Sequence, residues 1–189
     1  MAEIRPPLDA VKNDLIDGVT LEMIGDFDYL FMCINESLRM ESVVSHRIFQ
    51  SVEQDTTLEF DGKVIPLKKD CPISIFYPSV HKDPHQWPEP EVFEPERFNH
   101  SGKGDKKWLQ TADGQARSPF AFTPWMGGKR ICLGKGLVET MLKFTIPLIY
   151  HHCELEFEQE PASKPYFSFG CVEPYDLTMK VSTRNSVQN

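Results

Sequence analysis

The stretch Trp125-Met-Gly-Gly-Lys-Arg-Ile-Cys-Leu-Gly134 decides the reading of this chain, because it sets one cysteine among glycines directly before a segment with helical periodicity. A cysteine binds a metal as its thiolate, and nearby positive charge or the free N–H groups of a helix N-terminus favour that form. Both aids are present. Lys129 and Arg130 lie just upstream of Cys132, and Leu137, Val138, Met141, Leu142 and Thr145, with Ile149 one turn further, recur at helical spacing downstream. Gly127, Gly128 and Gly134 permit unusual backbone angles and carry no Cβ, so a flat ligand can lie against the main chain. Arg130 is placed to reach a carboxylate on such a ligand. Taken alone, one cysteine in a Gly-rich turn is an ordinary buried thiol; the residues around it change that reading. A phosphate loop is the nearest competitor and fails, because Gly128 and Gly134 are separated by five residues rather than four and Lys135 is followed by Gly136 instead of Ser or Thr.

The decapeptide resembles the haem-binding signature of the cytochrome P-450 family, Phe-x-x-Gly-x-Arg-x-Cys-x-Gly. Gly128, Arg130, Cys132 and Gly134 fall on its positions, and Trp125 stands where phenylalanine is usual, keeping a flat apolar surface on a larger ring. The resemblance implies a mainly α fold with small β-sheets (α+β), haem b as cofactor, and Cys132 as the axial ligand of its iron. Gly128, Gly134, Trp125 and Arg130 would then surround the cofactor.

Three further segments agree, in the order the family requires. Around Glu36-Ser-Leu-Arg39, the residues Phe27, Leu30, Phe31, Ile34 and Leu38 mark one helical stripe, and Met32, Cys33 and Met40 add apolar surface around the rest, which predicts a buried helix over 26–41. Glu36 and Arg39, at i,i+3 spacing, share a face, and a buried charge must be paired or it costs several kcal/mol. A solvated pair worth roughly 0.2–0.5 kcal/mol is the alternative. In context the tetrapeptide resembles the family's Glu-x-x-Arg helix, which supports the cysteine loop from behind the haem. His81-Lys-Asp-Pro-His-Gln-Trp-Pro-Glu-Pro-Glu-Val-Phe-Glu-Pro-Glu-Arg-Phe98 contains Pro84, Pro88, Pro90 and Pro95, which exclude a long helix and impose an extended meander over 81–98. Trp87, Phe93 and Phe98 mark it as packed rather than a linker. It resembles the family's stretch ending Pro-Glu-Arg-Phe, whose arginine joins the Glu-x-x-Arg pair, and that role falls on Arg97.

Between these two segments, 57–60 and 63–65 flank Asp61-Gly62 as a hairpin with a type I′ turn, and 73–77 reads as another strand, giving a hairpin and strand region over 56–78. The family has small strands here and an arginine that contacts a haem propionate; Arg47 is the candidate, with an exposed strand-edge arginine as the alternative. A polar stretch with Gly102, Gly104 and Gly114 predicts a surface loop over 99–118 that need not be ordered. The cysteine loop over 122–134 and the helix over 133–151 follow, with Pro147 expected to kink the helix or end it early. Strands are expected within 153–183, at 154–158, 166–169 and 177–181. His151-His152-Cys153 has metal-binding residue types, but neighbours on a helix point in different directions. His81 and His85 are spaced i,i+4, yet Pro84 opposes a helix that would align them.

Composition bounds the remainder. With 189 residues and 40% hydrophobic content the chain is sufficient for one domain core. Cys33, Cys71, Cys132, Cys153 and Cys171 form no close pairs, which suits a reducing compartment or cytoplasmic face rather than a disulfide scaffold. A net charge of −8 and no basic patch exclude nucleic acid as the expected partner. The N-terminus lacks the apolar core of a signal peptide, and 141–150, the most apolar stretch, is too short to span a bilayer. The resemblance implies the C-terminal, proximal-haem portion of the family's fold and a haem-thiolate monooxygenase acting on a small apolar organic substrate. It also implies a redox partner, reductase or ferredoxin, at the proximal face, and a location in the cytoplasm or on the cytoplasmic face of the endoplasmic reticulum. A non-catalytic haem-binding or interaction fragment is the alternative, since the family's distal oxygen-activating helix has no counterpart in these residues.

Overall fold

In a computed structural model that describes residues 26–44, 50–101, 105–158, 166–168, 171–173 and 178–184, helix α1 (Asp28–Met40) lies between two apolar clusters. Phe27, Leu30 and Ile34 form one, and Leu142 and Ile146 from the helix after the cysteine loop pack against it. Met32, on the other side, joins Trp87, Phe98 and Ala121, with Tyr29 and Phe122 at the margin. A helix apolar around most of its circumference is stable only when covered on several sides, and α1 is covered by the meander and by the helix beyond Cys132.

The strands among the described residues form four two-stranded antiparallel sheets. Strand β1 (Gln50–Ser51) pairs with β4 (Pro72–Ile73), while β2 (Thr56–Phe60) and β3 (Lys63–Leu67) form a hairpin in which Phe60 faces Lys63. Asp61 and Gly62 have φ of 50° and 68°, the two positive values a type I′ turn demands. The strand after the hairpin ends at Ile73, with a single further bridge residue at Phe76, so the strand expected over 73–77 is corrected: helix α2 (Tyr77–His81) begins at its last residue. Pro78 is the reason, since proline in a first turn gives up no intrahelical bond and presets the helical φ.

The meander closes on a 3-10 turn (Pro95–Phe98), capped by the Glu94 carboxylate accepting the Glu96 N–H at 3.1 Å. The stretch expected as a loose loop over 99–118 contains helix α3 (Lys106–Leu109) and a bridge between Gln110 and Ala116. Arg117 ties it down. Its guanidinium donates to the carbonyls of Gln86 (2.9 Å), Trp108 (2.7 Å) and Arg97 (3.4 Å) and lies 3.9 Å from the centre of the Trp87 ring.

Helix α4 (Lys135–His152) follows the cysteine loop and contains Pro147, so of the kink or early end expected there the early end does not occur. Pro147 is fully buried, and its missing N–H costs one helical bond that the packing of this helix against α1 offsets. Strand β5 (Cys153–Phe157) pairs with β8 (Met179–Thr183), and β6 (Tyr166–Ser168) with β7 (Cys171–Glu173).

Candidate functional site

Glu36 and Arg39 sit on the inward face of α1 and are 0% exposed, which removes the solvated-pair alternative. Arg39 donates from Nε to Glu36 Oε2 (2.7 Å) and from Nη2 to Oε1 (2.8 Å), a two-pronged pair. Arg97, carried in by the 3-10 turn, donates from Nε to the same Oε1 at 3.2 Å, and the Glu94 N–H adds a further bond at 2.8 Å. One carboxylate thus serves two guanidiniums. Their remaining donors go to main-chain carbonyls: Arg39 to His81 (3.0 Å), Arg97 to Pro88 (2.7 Å) and Glu89 (2.8 Å). Burial lowers the pKa of Arg97, the Glu36 carboxylate opposes that shift, and the Arg39 cation adds to it. Burial and the nearby Arg97 and Arg39 cations bring Arg117 down to about 10, so it stays charged at neutral pH. The prolines fold the meander so that its carbonyls turn inward where the cations need them.

His81 is fully buried at the end of α2 and faces three different elements. Its carbonyl accepts from Arg39, its Nδ1 lies 2.8 Å from Ser42 Oγ, and its Nε2 accepts the Thr123 N–H at 3.1 Å. Burial, then the Arg39 cation, lowers its pKa to about 4, so the ring is neutral near pH 7. Sequence reasoning weighed His81 only with His85 and missed this. The available signal was the i,i+4 spacing of Tyr77 and His81, whose rings stack 5.9 Å apart on one face of α2. His85 is instead exposed, 3.7 Å from the Asp113 carboxylate.

The cysteine loop is closed by its own backbone. Met126 N–H bonds Thr123 carbonyl (3.0 Å), Cys132 N–H bonds Trp125 carbonyl (2.9 Å), and Lys135 N–H bonds Cys132 carbonyl (3.3 Å) at the start of α4. Gly128, with φ of +62°, opens a 3-10 turn (Gly128–Arg130) in a conformation that L side chains rarely adopt. A Cβ at Gly127 or Gly128 would meet nothing within 4 Å, so the main chain there faces open space, while one at Gly134 would lie 3.8 Å from Cys132 Sγ. Cys132 is a free, exposed thiol beside exposed Arg130 and half-buried Trp125. Ile131, Leu133, Leu137 and Met141 expose large apolar surfaces in the same stretch, and Leu133, Leu137 and Met141 repeat at i,i+4. An open backbone cradle, a soft donor, a guanidinium and apolar side chains fit a flat, apolar, iron-containing ligand with carboxylate substituents.

The structure therefore gathers Glu36, Arg39 and Arg97 into one buried cluster and Trp125, Gly128, Arg130, Cys132 and Gly134 into one loop, joined through His81 and Thr123. Arg47 lies outside the described residues. Among the described residues no group of three or more His, Cys, Asp or Glu side chains is arranged to hold a metal ion, His151-His152-Cys153 included. No helix among them is long and apolar enough to cross a membrane.

Comparison with known proteins gives the same direction. The Cytochrome P450 family profile matches residues 2–178. Cytochrome P450 4F6 of Rattus norvegicus is 37% identical over 143 residues, covering 75% of this chain and 24% of the rat protein. Cytochrome P450 4F11 of Homo sapiens is 34% identical over 162 residues, covering 85% of this chain and 26% of the human one. The chain thus spans about a quarter of the length of the curated relatives it matches. The crystal structure of the cytochrome P450DA heme domain superposes with a TM-score of 0.73 at 20% identity, over 97% of this chain and 37% of that one, a likeness of fold. On the profile match and these relatives together, the chain belongs to the cytochrome P450 family.

Proposed function

We propose that this chain provides the thiolate-bearing portion of a haem-thiolate monooxygenase, with Cys132 as the axial ligand of haem b. The observation that carries the proposal is the exposed free thiol of Cys132 in a loop whose Gly127 and Gly128 face open space. When bound, haem would supply the dioxygen activation that a monooxygenase needs, and Cys132 would hold it through its thiolate. This chain's own residues would hold and orient that group. The bond from Cys132 N–H to the Trp125 carbonyl fixes where the sulfur stands relative to the loop. Arg130 binds a carboxylate of the cofactor and orients the ring, and Arg47 is proposed for a second such contact, outside the described residues. Trp125, Ile131 and Leu133 offer apolar contact that keeps water from the sulfur once covered. Glu36, Arg39 and Arg97 hold α1 and the meander in one fixed relation beneath the loop.

The substrate is proposed to be a small apolar organic molecule, and the electrons to come from a reductase or ferredoxin docking at the proximal face. A place in the cytoplasm or at the cytoplasmic face of the endoplasmic reticulum is supported by the four free cysteines among the described residues, which suit a reducing compartment. The alternative reading is a non-catalytic haem-binding or interaction fragment, in which Cys132 holds haem without turnover. Oxidation of an apolar probe by the haem-reconstituted chain, with NADPH and a reductase, separates the two. The first reading expects product from wild type and none from Cys132→Ala; haem binding through Cys132 without product supports the second.

A further inference from the structure

His81 is more than a packed core residue. Ring contacts with Tyr77 (5.9 Å) and Phe122 (5.4 Å) account for its carbon atoms, and any aromatic side chain would supply them. Its polar atoms are used in another way, since its carbonyl, Nδ1 and Nε2 each bond a residue remote in sequence.

The direction of this chain of bonds follows from its ends. The Thr123 N–H can only donate, so Nε2 is the acceptor and the proton of the neutral ring is on Nδ1. Nδ1–H then donates to Ser42 Oγ, whose hydroxyl donates in turn to the Leu38 carbonyl in the last turn of α1 (3.3 Å). The Leu38 carbonyl also lies within hydrogen-bond reach of the His81 ring, so the Nδ1 side is anchored to the end of α1 and the Nε2 side to Thr123. On the loop side, Thr123 precedes Pro124, which has no N–H, so the Thr123 amide is the tether through which the main chain approaches Trp125. Two backbone bonds then continue the path, Met126 N–H to Thr123 carbonyl and Cys132 N–H to Trp125 carbonyl. A line of short bonds runs from Glu36 through Arg39 and His81 to the amide of Cys132.

We infer that His81 is a positioning residue for Cys132, pinning the loop at Thr123 to the end of α1 so that the buried ion cluster sets where the sulfur stands. Its functional meaning rests on Cys132 being the haem ligand; the pinning itself does not. The requirement is an acceptor at the Nε2 position, so the side chain that best replaces His81 is one that carries an oxygen there rather than one that matches its ring.

Amide hydrogen exchange on the 189-residue chain tests the pinning without haem, and the ferrous–CO spectrum after reconstitution tests its consequence. His81→Phe keeps ring contacts and removes both nitrogens; His81→Gln offers an amide oxygen to Thr123. Exchange at the Thr123 amide should be about tenfold faster in His81→Phe and within about threefold of wild type in His81→Gln, the scale of one lost hydrogen bond. Amides of the β2–β3 hairpin should not change. At equal haem loading, the thiolate-ligated share of the CO complex should fall in His81→Phe and recover in His81→Gln. Unchanged Thr123 exchange in His81→Phe, or an equal rise at the hairpin amides, overturns the inference. Should His81→Phe not fold, His81→Leu carries the test: it removes both ring nitrogens while keeping an apolar side chain, and Thr123 exchange must still rise, its constancy being the overturning result. A wild-type spectrum without a thiolate band refutes the ligand assignment instead, and Thr123 exchange then judges the pinning alone.

Discussion

Replacing Glu36 with alanine takes the carboxylate from a cluster in which Glu36 and Arg39 are 0% exposed and Arg97 is 3% exposed. Three partners lose their acceptor together: Arg39, Arg97 and the Glu94 N–H. Removing one partner of a buried ion pair costs about 3–5 kcal/mol, because the remaining charge stays buried and uncompensated. Two cations are stranded here rather than one, which argues for the upper part of that range. Against this, Arg39 keeps the His81 carbonyl and Arg97 keeps those of Pro88 and Glu89. The losses share one oxygen and are not additive, so the expected destabilisation is about 3–4 kcal/mol. For a chain of this size that lowers Tm by roughly 6–16 °C, at about 2–4 °C per kcal/mol. The assay is a thermal melt followed by circular dichroism, with Glu91→Ala as the control. Glu91 pairs with Lys82 at 3.3 Å but is 73% exposed, and an exposed pair is worth less than about 1 kcal/mol. Equal melting shifts for Glu36→Ala and Glu91→Ala would refute the buried-network reasoning.

Three more outcomes follow from the geometry. The His81 pKa falls from 6.5 to about 4 on folding, so the unfolded chain binds more protons between those values; stability is fully present above pH 6.5 and is lost as pH falls toward 4. The loss is at most about 3 kcal/mol at 1.36 kcal/mol per unit, and urea melts across that window should be flatter for His81→Gln than for wild type. Gly128→Ala meets φ of +62° and should cost about 1–2 kcal/mol and weaken haem uptake, whereas Gly127→Ala, at φ of −157° in open space, should leave the melt unchanged, both read by thermal denaturation and haem titration. Arg117→Ala strands the carbonyls of Gln86, Arg97 and Trp108, and limited proteolysis should cut within 105–116 several times faster than in wild type; Arg117→Lys should not restore resistance, because a single ammonium lacks the planar fork that reaches three carbonyls.

What the sequence made legible was chemistry carried by residue type. Glu36, Arg39 and Arg97 could be grouped before their geometry was seen, because charges within apolar or proline-bound segments must find one another, and they meet at 2.7–3.2 Å. Cys132, Arg130 and the glycines stood out because few other residues bind metal softly or adopt positive φ. His81 stayed hidden for the opposite reason: its ring is held by a hydroxyl and a main-chain amide, which any stretch of sequence offers. Arg117 was invisible on the same ground, since all three of its acceptors are backbone carbonyls. The early end weighed at Pro147 and the strand expected over 73–77 share a cause as well. Local propensity argued one way at each, and tertiary packing at Pro147 and first-turn geometry at Pro78 decided the other.

The central claim is that Cys132 ligates haem iron through its thiolate. The ferrous–CO absorption spectrum of the purified 189-residue chain, reconstituted with haem b, tests it most directly. Thiolate ligation by Cys132 gives a Soret band strongly red-shifted from that of histidine-ligated haem, present in wild type and absent in Cys132→Ala at the same haem loading. The same spectrum from both proteins would contradict it.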